Sequence, residues 1–394
     1  MNFIFLSPHF PAHYVNFADR LKKMGVNVLG IADASYDSLS PELKDSLTEY
    51  YRVDNMENYD ELVRAVGYFI HKYGRIDALN SLNEYWLETD AKLRTDFNIP
   101  GTKYPQVLDS KNKSKMKAHY EKAGIPVARY HLVTTLEEGK KFAEKVGYPL
   151  FVKPDNGVGA YASYPIADEN DLVAFYNDHP DVPYIMEEYI EGDLLTFDGI
   201  TDYENNIIFN TNHVFPVPVA DVVNKDIDLF YLSNKEYDEK LEEAGRKTVA
   251  AYDMPAHFFH FEFFRLTKDK KGVGKKGDIV GLEVNMRPPG GIMPELMDYE
   301  HDIDVYQVWA DMMVHDKLYV DIERKYVGIY VSRRDHHNYQ HTHEEIMEKY
   351  GEYVMQYNKV DDIFSAVMGN HVYLMRAENK AQAEEMIDFV VARV

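Results

Sequence analysis

Residues 260–291 read HFEFFRLTKDKKGVGKKGDIVGLEVNMRPPGG and constrain the architecture more than any other segment of the chain. Residues 260–266 are a short apolar and aromatic run with an acid at Glu262, and residues 279–286 are a second such run carrying Glu283 and Asn285. A turn rich in lysine and glycine separates them. Two β-type runs joined by a polar, glycine-bearing loop predict an antiparallel hairpin. Alternate residues of a strand share a face, so Glu283, Asn285 and Arg287 point the same way and Glu262 faces them from the partner strand.

Gathering two carboxylates and a carboxamide on one sheet face costs free energy unless something positive sits among them. Hard oxygen donors of this kind suit Mg2+, which uses one or two carboxylates together with substrate phosphates. One alternation further on, Arg287 offers a planar donor fork for a phosphate or a carboxylate. The competing reading is a solvated strand face whose acids pair with the turn lysines.

With 394 residues the chain is too long for one simple core and suits two or three domains. Its apolar fraction of 45% speaks against disorder. A formal charge of −23 argues against general electrostatic attraction to nucleic acid, whose phosphates are held by Lys and Arg. No run of about 18 apolar residues is present, so no membrane span is expected. Met1 leads directly into the strand-like NFIFL, without the features of a signal peptide. Without cysteine there is neither disulfide nor thiolate chemistry, and the cytoplasm is the default compartment.

Along the first hundred residues, apolar runs at 2–6, 26–31, 50–53 and 76–81 read as strands, and 14–24 and 59–73 as helices. Gly25 stops the first helix. This alternation predicts a Rossmann-like parallel α/β domain. Ligands of such sheets bind beyond the carboxyl ends of the strands, which places Ser7, His9 and Glu84 near any site the domain contributes to. The first strand is not followed by GxGxxG and the chain has no GxxxxGK[ST], which argues against a classical dinucleotide site or a P-loop.

From Asp109 the texture changes. Residues 109–126, DSKNKSKMKAHYEKAGIP, predict a basic helix ended by Gly124, with five lysines ahead of that glycine in an acidic chain. A strand (128–133), a helix (136–146) stopped by Gly147 and a strand (150–152) follow, and the last delivers Lys153 into KPDNGVGAYAS. Lys153 with Gly157 and Gly159 sets a cation beside backbone able to approach a phosphate, although a plain turn explains a lone GxG equally well. The next strand, 184–187, runs into EEYIEGD, where a backbone edge and one carboxylate suit the exocyclic amine of a base.

Taken in order, these segments resemble the ATP-grasp family of carboxylate–amine and carboxylate–thiol ligases over residues 108–314, and the α/β domain before them looks like that family's usual preceding domain. The fold the resemblance implies is α/β and α+β multidomain. Its parts are an N-terminal Rossmann-like domain (1–107), an ATP-grasp domain (108–318) and a small C-terminal α+β cap (319–394). KNKSKMKAHYEKAGIPV is similar to the family's first lysine helix, which implies that Lys113 contacts nucleotide phosphates. GYPLFVKPDNGVGA is similar to the second lysine strand, which implies that Lys153 binds phosphate and that Gly157, Gly159 and Ala160 belong to a lid. IMEEYIEG resembles the adenine hinge, with Glu187 accepting from the adenine amine and the Tyr189 and Ile190 backbone along the base edge. The hairpin resembles the metal strand pair, which implies Glu262, Glu283 and Asn285 as ligands of Mg2+, with Mn2+ as an alternative ion, and Arg287 against the transferring phosphoryl group. Leu194 stands where the family commonly has a ribose-binding acid, and Asp193 is the adjacent substitute.

The activity implied is activation of a carboxylate by ATP as an acyl phosphate, attack on it by an amine, and release of ADP and phosphate. No protein nucleophile is required, in keeping with the absence of cysteine. The implied partners are a small-molecule carboxylate and amine, with no nucleic acid, no membrane and a homodimer left open. Two alternatives remain: a biotin-carboxylase-like use of bicarbonate, and a non-catalytic ATP-binding regulatory or scaffold protein. Prolines in residues 210–232 argue against a long helix and predict an irregular loop near the acceptor. In RRDHHNYQHTH (333–343) the histidines at 336, 337, 341 and 343 have no cysteine or acid at a standard zinc-ligand spacing, so a polar loop is expected. Arg333 and Arg334 are candidates for holding a substrate carboxylate.

Overall fold

A computed structural model describes residues 1–157, 162–217, 222, 225–360 and 362–394, with the backbone alone for 362–364. Among the described residues the strands form three sheets. The first contains β1 (Asn2–Leu6), β2 (Asn27–Ala32), β3 (Glu49–Arg52) and β4 (Ala78–Asn80) in the order β3-β2-β1-β4, all parallel. Phe3, Ile4, Phe5 and Leu6 of β1 are completely buried, as expected of a strand covered on both faces. The helix Tyr59–Tyr73 has the predicted limits and turns Leu62, Val66 and Phe69 toward the sheet. The helix Val15–Lys23 is preceded by a 3-10 turn, and Gly25 adopts φ +81° beyond its end.

The second sheet holds β5 (Tyr130–Leu132), β6 (Leu150–Pro154), β7 (Tyr164–Ile166) and β8 (Tyr184–Glu188), antiparallel in the order β5-β8-β6-β7. The helices Leu136–Val146 and Glu169–Asn177 bury Phe142, Leu172 and Phe175 against it.

The third and largest sheet is antiparallel throughout. It contains β9 (Gly192–Thr201), β10 (Ile207–Phe215), β11 (Phe230–Ser233), β12 (Phe258–Leu266), β13 (Ile279–Asn285), β14 (Val327–Arg333), β15 (Val354–Lys359) and β16 (His371–Ala377), in the order β13-β12-β9-β10-β11-β14-β16-β15. The expected hairpin is therefore its β12–β13 edge, with Glu262 directly opposite Glu283 and His260 opposite Asn285. Leu282 is an extra residue in this ladder, a bulge beside the two carboxylates.

Phe259, Phe261 and Phe263 leave β12 on one face, fully buried beside the helix Glu239–Tyr252. The helix Lys113–Lys122 lies on that face too, and Tyr120 packs so closely on Gly281 that a Cβ there would sit 2.6 Å from its ring. The opposite face of β12 and β13 is left to His260, Glu262, Glu283 and Asn285.

One expectation is overturned in part, and residues 218–221, 223 and 224 of that segment lie outside the described residues. Within residues 210–232, β10 and β11 are interior strands of the large sheet rather than parts of an irregular loop. Pro216 follows the last residue of β10, so it ends a strand instead of interrupting one. The C-terminal strands β14, β15 and β16 extend this same sheet through β11. No helix among the described residues is long and apolar enough to cross a membrane.

Candidate functional site

The polar face of the hairpin is met by Lys153 of the second sheet and by Lys113, which reaches round from the N-terminal end of the lysine helix. Helix and sheet are fixed to each other by Asp155, the residue after β6. Its carbonyl accepts from the Lys113 N–H (2.8 Å), and its carboxylate accepts from the Ser114 N–H (2.7 Å), the Ser114 hydroxyl (3.0 Å) and the Asn112 amide (3.1 Å). A carboxylate at the helix N-terminus satisfies otherwise orphaned donors and complements the helix dipole. Asp155 thereby sets Lys113 and Lys153 in register, although they lie 40 positions apart.

Three lysines converge here. Lys113 is buried, donates to the Gly157 carbonyl at 3.2 Å and has Nζ 3.5 Å from a Glu283 carboxylate oxygen. Lys153 is buried with Nζ 3.1 Å from Glu187, within the electrostatic field of Glu283 and Glu262. Lys117, absent from the sequence reading as a site residue, is fully buried with Nζ 2.7 Å from the other Glu187 oxygen. Burial pushes the Glu187 carboxyl up, but Lys117 and Lys153 outweigh it and hold its pKa down at about 2. Lys117 follows Lys113 by one helical turn, so both reach the same side.

The rest of the hinge is divided by strand alternation. Glu188 turns the other way and takes Arg129 at 2.6 and 2.8 Å. Tyr189 is exposed, its N–H on the Pro149 carbonyl, and Ile190 packs with Ala128, Leu266 and Val280. Asp193 is exposed at the start of β9, whereas Leu194 is buried in the core. Gly159 and Ala160 lie outside the described residues.

Arg287 reaches across to the N-terminal sheet. Its guanidinium contacts one carboxylate oxygen of Glu84 at 2.5 and 3.2 Å and donates to the Pro288 carbonyl at 2.8 Å. Burial opposes both charges, yet each holds the other ionised: Glu84 lies below the usual carboxylate range and Arg287 above its ordinary value. The structure thus brings Glu84 to the hairpin. Ser7 is buried with its N–H on the Ile31 carbonyl, and His9 feels the charge of Asp33.

A buried polar row missed by the sequence reading starts at Glu262 and crosses the sheet. His260 has Nε2 3.4 Å from Glu262 and Nδ1 2.5 Å from Asp198, which is also 2.9 Å from His213. His213 in turn stands 2.7 Å from Glu300, and Glu300 accepts from Thr211 at 2.8 Å. Burial pulls both imidazoles down, but Glu300 and Asp198 raise His213 to about 10, and Asp198 raises His260 to about 9. The cross-strand pairing of Glu262 with Thr196, and of Asp198 with His260 and Thr211, produces the row. The row was legible only once the order β12-β9-β10 was known.

One further expectation changes. Arg333 and Arg334 are buried and donate to main-chain carbonyls: Arg333 to Val390 and His341, Arg334 to Ile227, Ser365 and Ala366. They tie the chain after β14 to its neighbours rather than facing a substrate carboxylate. Of the four histidines of 333–343, His336 and His337 lie side by side, while His341 stacks on Phe389 and His343 meets the Tyr373 hydroxyl.

No family model matches the chain. It is 25% identical over 308 residues to the L-arginine-specific L-amino acid ligase of Bacillus subtilis, covering 75% of this chain and 71% of that protein. Against larger multifunctional relatives it spans 8% of their length. The L-amino acid ligase of Bacillus licheniformis superposes with a TM-score of 0.72 at 15% identity, covering 98% of this chain and 95% of that one. The biotin carboxylase domain of Hydrogenobacter thermophilus 2-oxoglutarate carboxylase, solved with MgADP and bicarbonate, superposes with a TM-score of 0.65 at 15% identity, over 95% and 86% of the two chains. The order of lysine helix, lysine strand, acidic hinge and carboxylate hairpin is thus joined to a matching fold over nearly the whole chain, and the relatives and structural neighbours of this protein are ATP-grasp carboxylate–amine ligases.

Proposed function

We propose that this protein uses ATP to activate the carboxylate of an amino acid and joins it to an amine, releasing ADP and phosphate. The observation that carries this reading is the meeting of Lys113, Lys117 and Lys153 with the carboxylate face of the β12–β13 hairpin, closed at one end by Arg287. A carboxylate and the γ-phosphate of ATP are both anions, so the barrier to their reaction is largely electrostatic and positional. Lysine ammonium groups and the Arg287 guanidinium offset that repulsion where the charge develops.

The substrate carboxylate oxygen attacks the γ-phosphorus as the bond to ADP breaks. The amine nitrogen then attacks the acyl carbon, phosphate leaves, and the surplus amine proton passes to water. In this reading Lys113 and Lys153 hold the phosphates, Arg287 steadies the acyl phosphate, and Glu187, Tyr189, Ile190 and Asp193 hold base and ribose. Glu187 would meet the adenine amine from between two ammonium groups, which keep it ionised. Glu262, Glu283 and Asn285 fit a hard divalent cation, because two partly exposed carboxylates stand directly opposite each other on one face beside a carboxamide. These residues would hold Mg2+, or Mn2+ in its place, which would supply charge neutralisation for the anionic phosphates.

The test is a screen of paired amino acids for release of phosphate and ADP, repeated with hydroxylamine as the amine. The reading expects turnover to require carboxylate and amine together, and a hydroxamate when hydroxylamine is supplied. AMP with pyrophosphate as products, or turnover with bicarbonate alone, would contradict it.

A further inference from the structure

The histidine-bearing loop gains its missing acid from a segment more than a hundred positions away. Asp226, just ahead of β11, places its Oδ2 2.6 Å from His336 Nε2 and 3.1 Å from His337 Nε2. Two ring nitrogens and one carboxylate oxygen thus converge, all within 4.8 Å of one another. In a tetrahedral zinc site with bonds of about 2.0 Å, neighbouring ligand atoms stand about 3.3 Å apart, so the spacing needs only a small expansion to accept an ion. The open side faces solvent, since His336 and Asp226 are exposed while His337 is largely covered.

A second carboxylate stands behind the first. Asp228 lies 3.3 Å from the other ring nitrogen of His337, and is itself fixed by the Tyr339 hydroxyl at 2.7 Å and by Arg393 at 3.0 Å. A carboxylate on the far nitrogen of a ligating histidine selects its tautomer and raises its basicity, which is the usual outer support of a metal-bound imidazole. Arg334 Nε stands 3.5 Å from the remaining Asp226 oxygen, leaving Oδ2 to the histidines.

We propose that Asp226, His336 and His337 form a site for a divalent transition metal, of the Zn2+ or Co2+ class, separate from the nucleotide-metal face of the hairpin. Two imidazoles and one carboxylate favour such ions over Mg2+. The bound ion joins the chain entering β11 to the turn leaving β14, and solvent completes its coordination.

The experiment uses chelator-treated full-length protein held with saturating Mg·ADP, so that the hairpin site is filled. Co2+ is titrated in while the visible absorption is followed, and Zn2+ affinity is measured by competition with a chromophoric chelator. The proposal expects one Co2+ per chain with a ligand-field band that Zn2+ abolishes. Asp226→Asn and the double variant His336→Ala/His337→Ala should lower Zn2+ affinity at least about 100-fold, and Asp228→Asn on the order of 10-fold. His341→Ala/His343→Ala should leave it unchanged, and retention of the Mg·ADP thermal shift in every variant shows that the fold persists. Absence of the band, equal loss in the His341/His343 variant, or undiminished binding by the His336/His337 variant would each overturn the proposal.

Discussion

Lys117 carries a positive charge with no exposed surface, 2.7 Å from a carboxylate that a second lysine also contacts. Removing Lys117 leaves Glu187 paired with Lys153, whereas removing Glu187 leaves two buried ammonium groups uncompensated, at a cost of about 3–5 kcal/mol. Glu187→Gln should therefore lower the urea midpoint strongly, and Lys117→Met/Glu187→Gln, which removes one of the two stranded ammonium groups, should recover part of it. Additive losses in that double-mutant cycle would show that the pair is not coupled. Lys153→Ala and Glu283→Ala should each reduce phosphate release by about 100-fold or more with the fold intact, through lost transition-state stabilisation. Turnover near the wild-type rate would remove that residue from its assigned role.

His213 gives a pH prediction. Its pKa is raised from 6.5 to about 10 in the folded protein, so between those values the native state binds more protons than the unfolded state. The stabilisation is fully present below pH 6.5 and is lost as pH rises toward 10. Thermal unfolding of wild type should fall over that window more steeply than that of His213→Gln, and parallel profiles would refute the assignment. The charged residues that belong to contiguous motifs, Lys113, Lys153, Glu262 and Glu283, could be read from the chain. Lys117, His260 and Asp198 could not, because a lysine in a lysine-rich helix and a lone histidine in a strand carry no signal until burial is known.

The lysine helix is coupled to the hairpin and to the second sheet through two small features. Gly281 makes room for Tyr120, and Asp155 caps the lysine helix from the neighbouring strand. Gly281→Ala would force the ring and its helix away, an overpacking cost of about 1–3 kcal/mol, and should raise the KM for ATP as Lys113 moves. Relief by a second change, Tyr120→Leu, would identify the clash as the cause; no rescue would contradict it. Hydrophobic alternation and glycine stops revealed the hairpin and the helices Tyr59–Tyr73 and Leu136–Val146 with their limits. The misreading of 210–232 has a clear origin: β10 buries Thr211, Asn212 and His213, so a polar, proline-flanked stretch hides a buried strand.

Across the molecule, the proposed boundaries at 107 and 318 are both crossed by strong contacts. Glu84 pairs with Arg287 over the first, and β14 joins β11 over the second. Ligand binding should therefore stabilise the chain broadly: Mg·ATP at about 100 times its Kd adds about 2.7 kcal/mol, visible as a raised Tm. No shift at millimolar Mg·ATP would count against nucleotide binding. The order of motifs disclosed Lys113, Lys153 and the hairpin carboxylates, whereas the row from Glu262 to Glu300 is assembled from separate elements with no shared spacing.

The acyl phosphate leaves a mark that can be read in one product. With the best amino acid pair and the activated carboxylate enriched in 18O, the released phosphate is analysed by mass spectrometry alongside the nucleotide. If the carboxylate attacks the γ-phosphate, each phosphate carries one 18O and the nucleotide is ADP. Unlabelled phosphate, or label recovered in AMP, would contradict the mechanism.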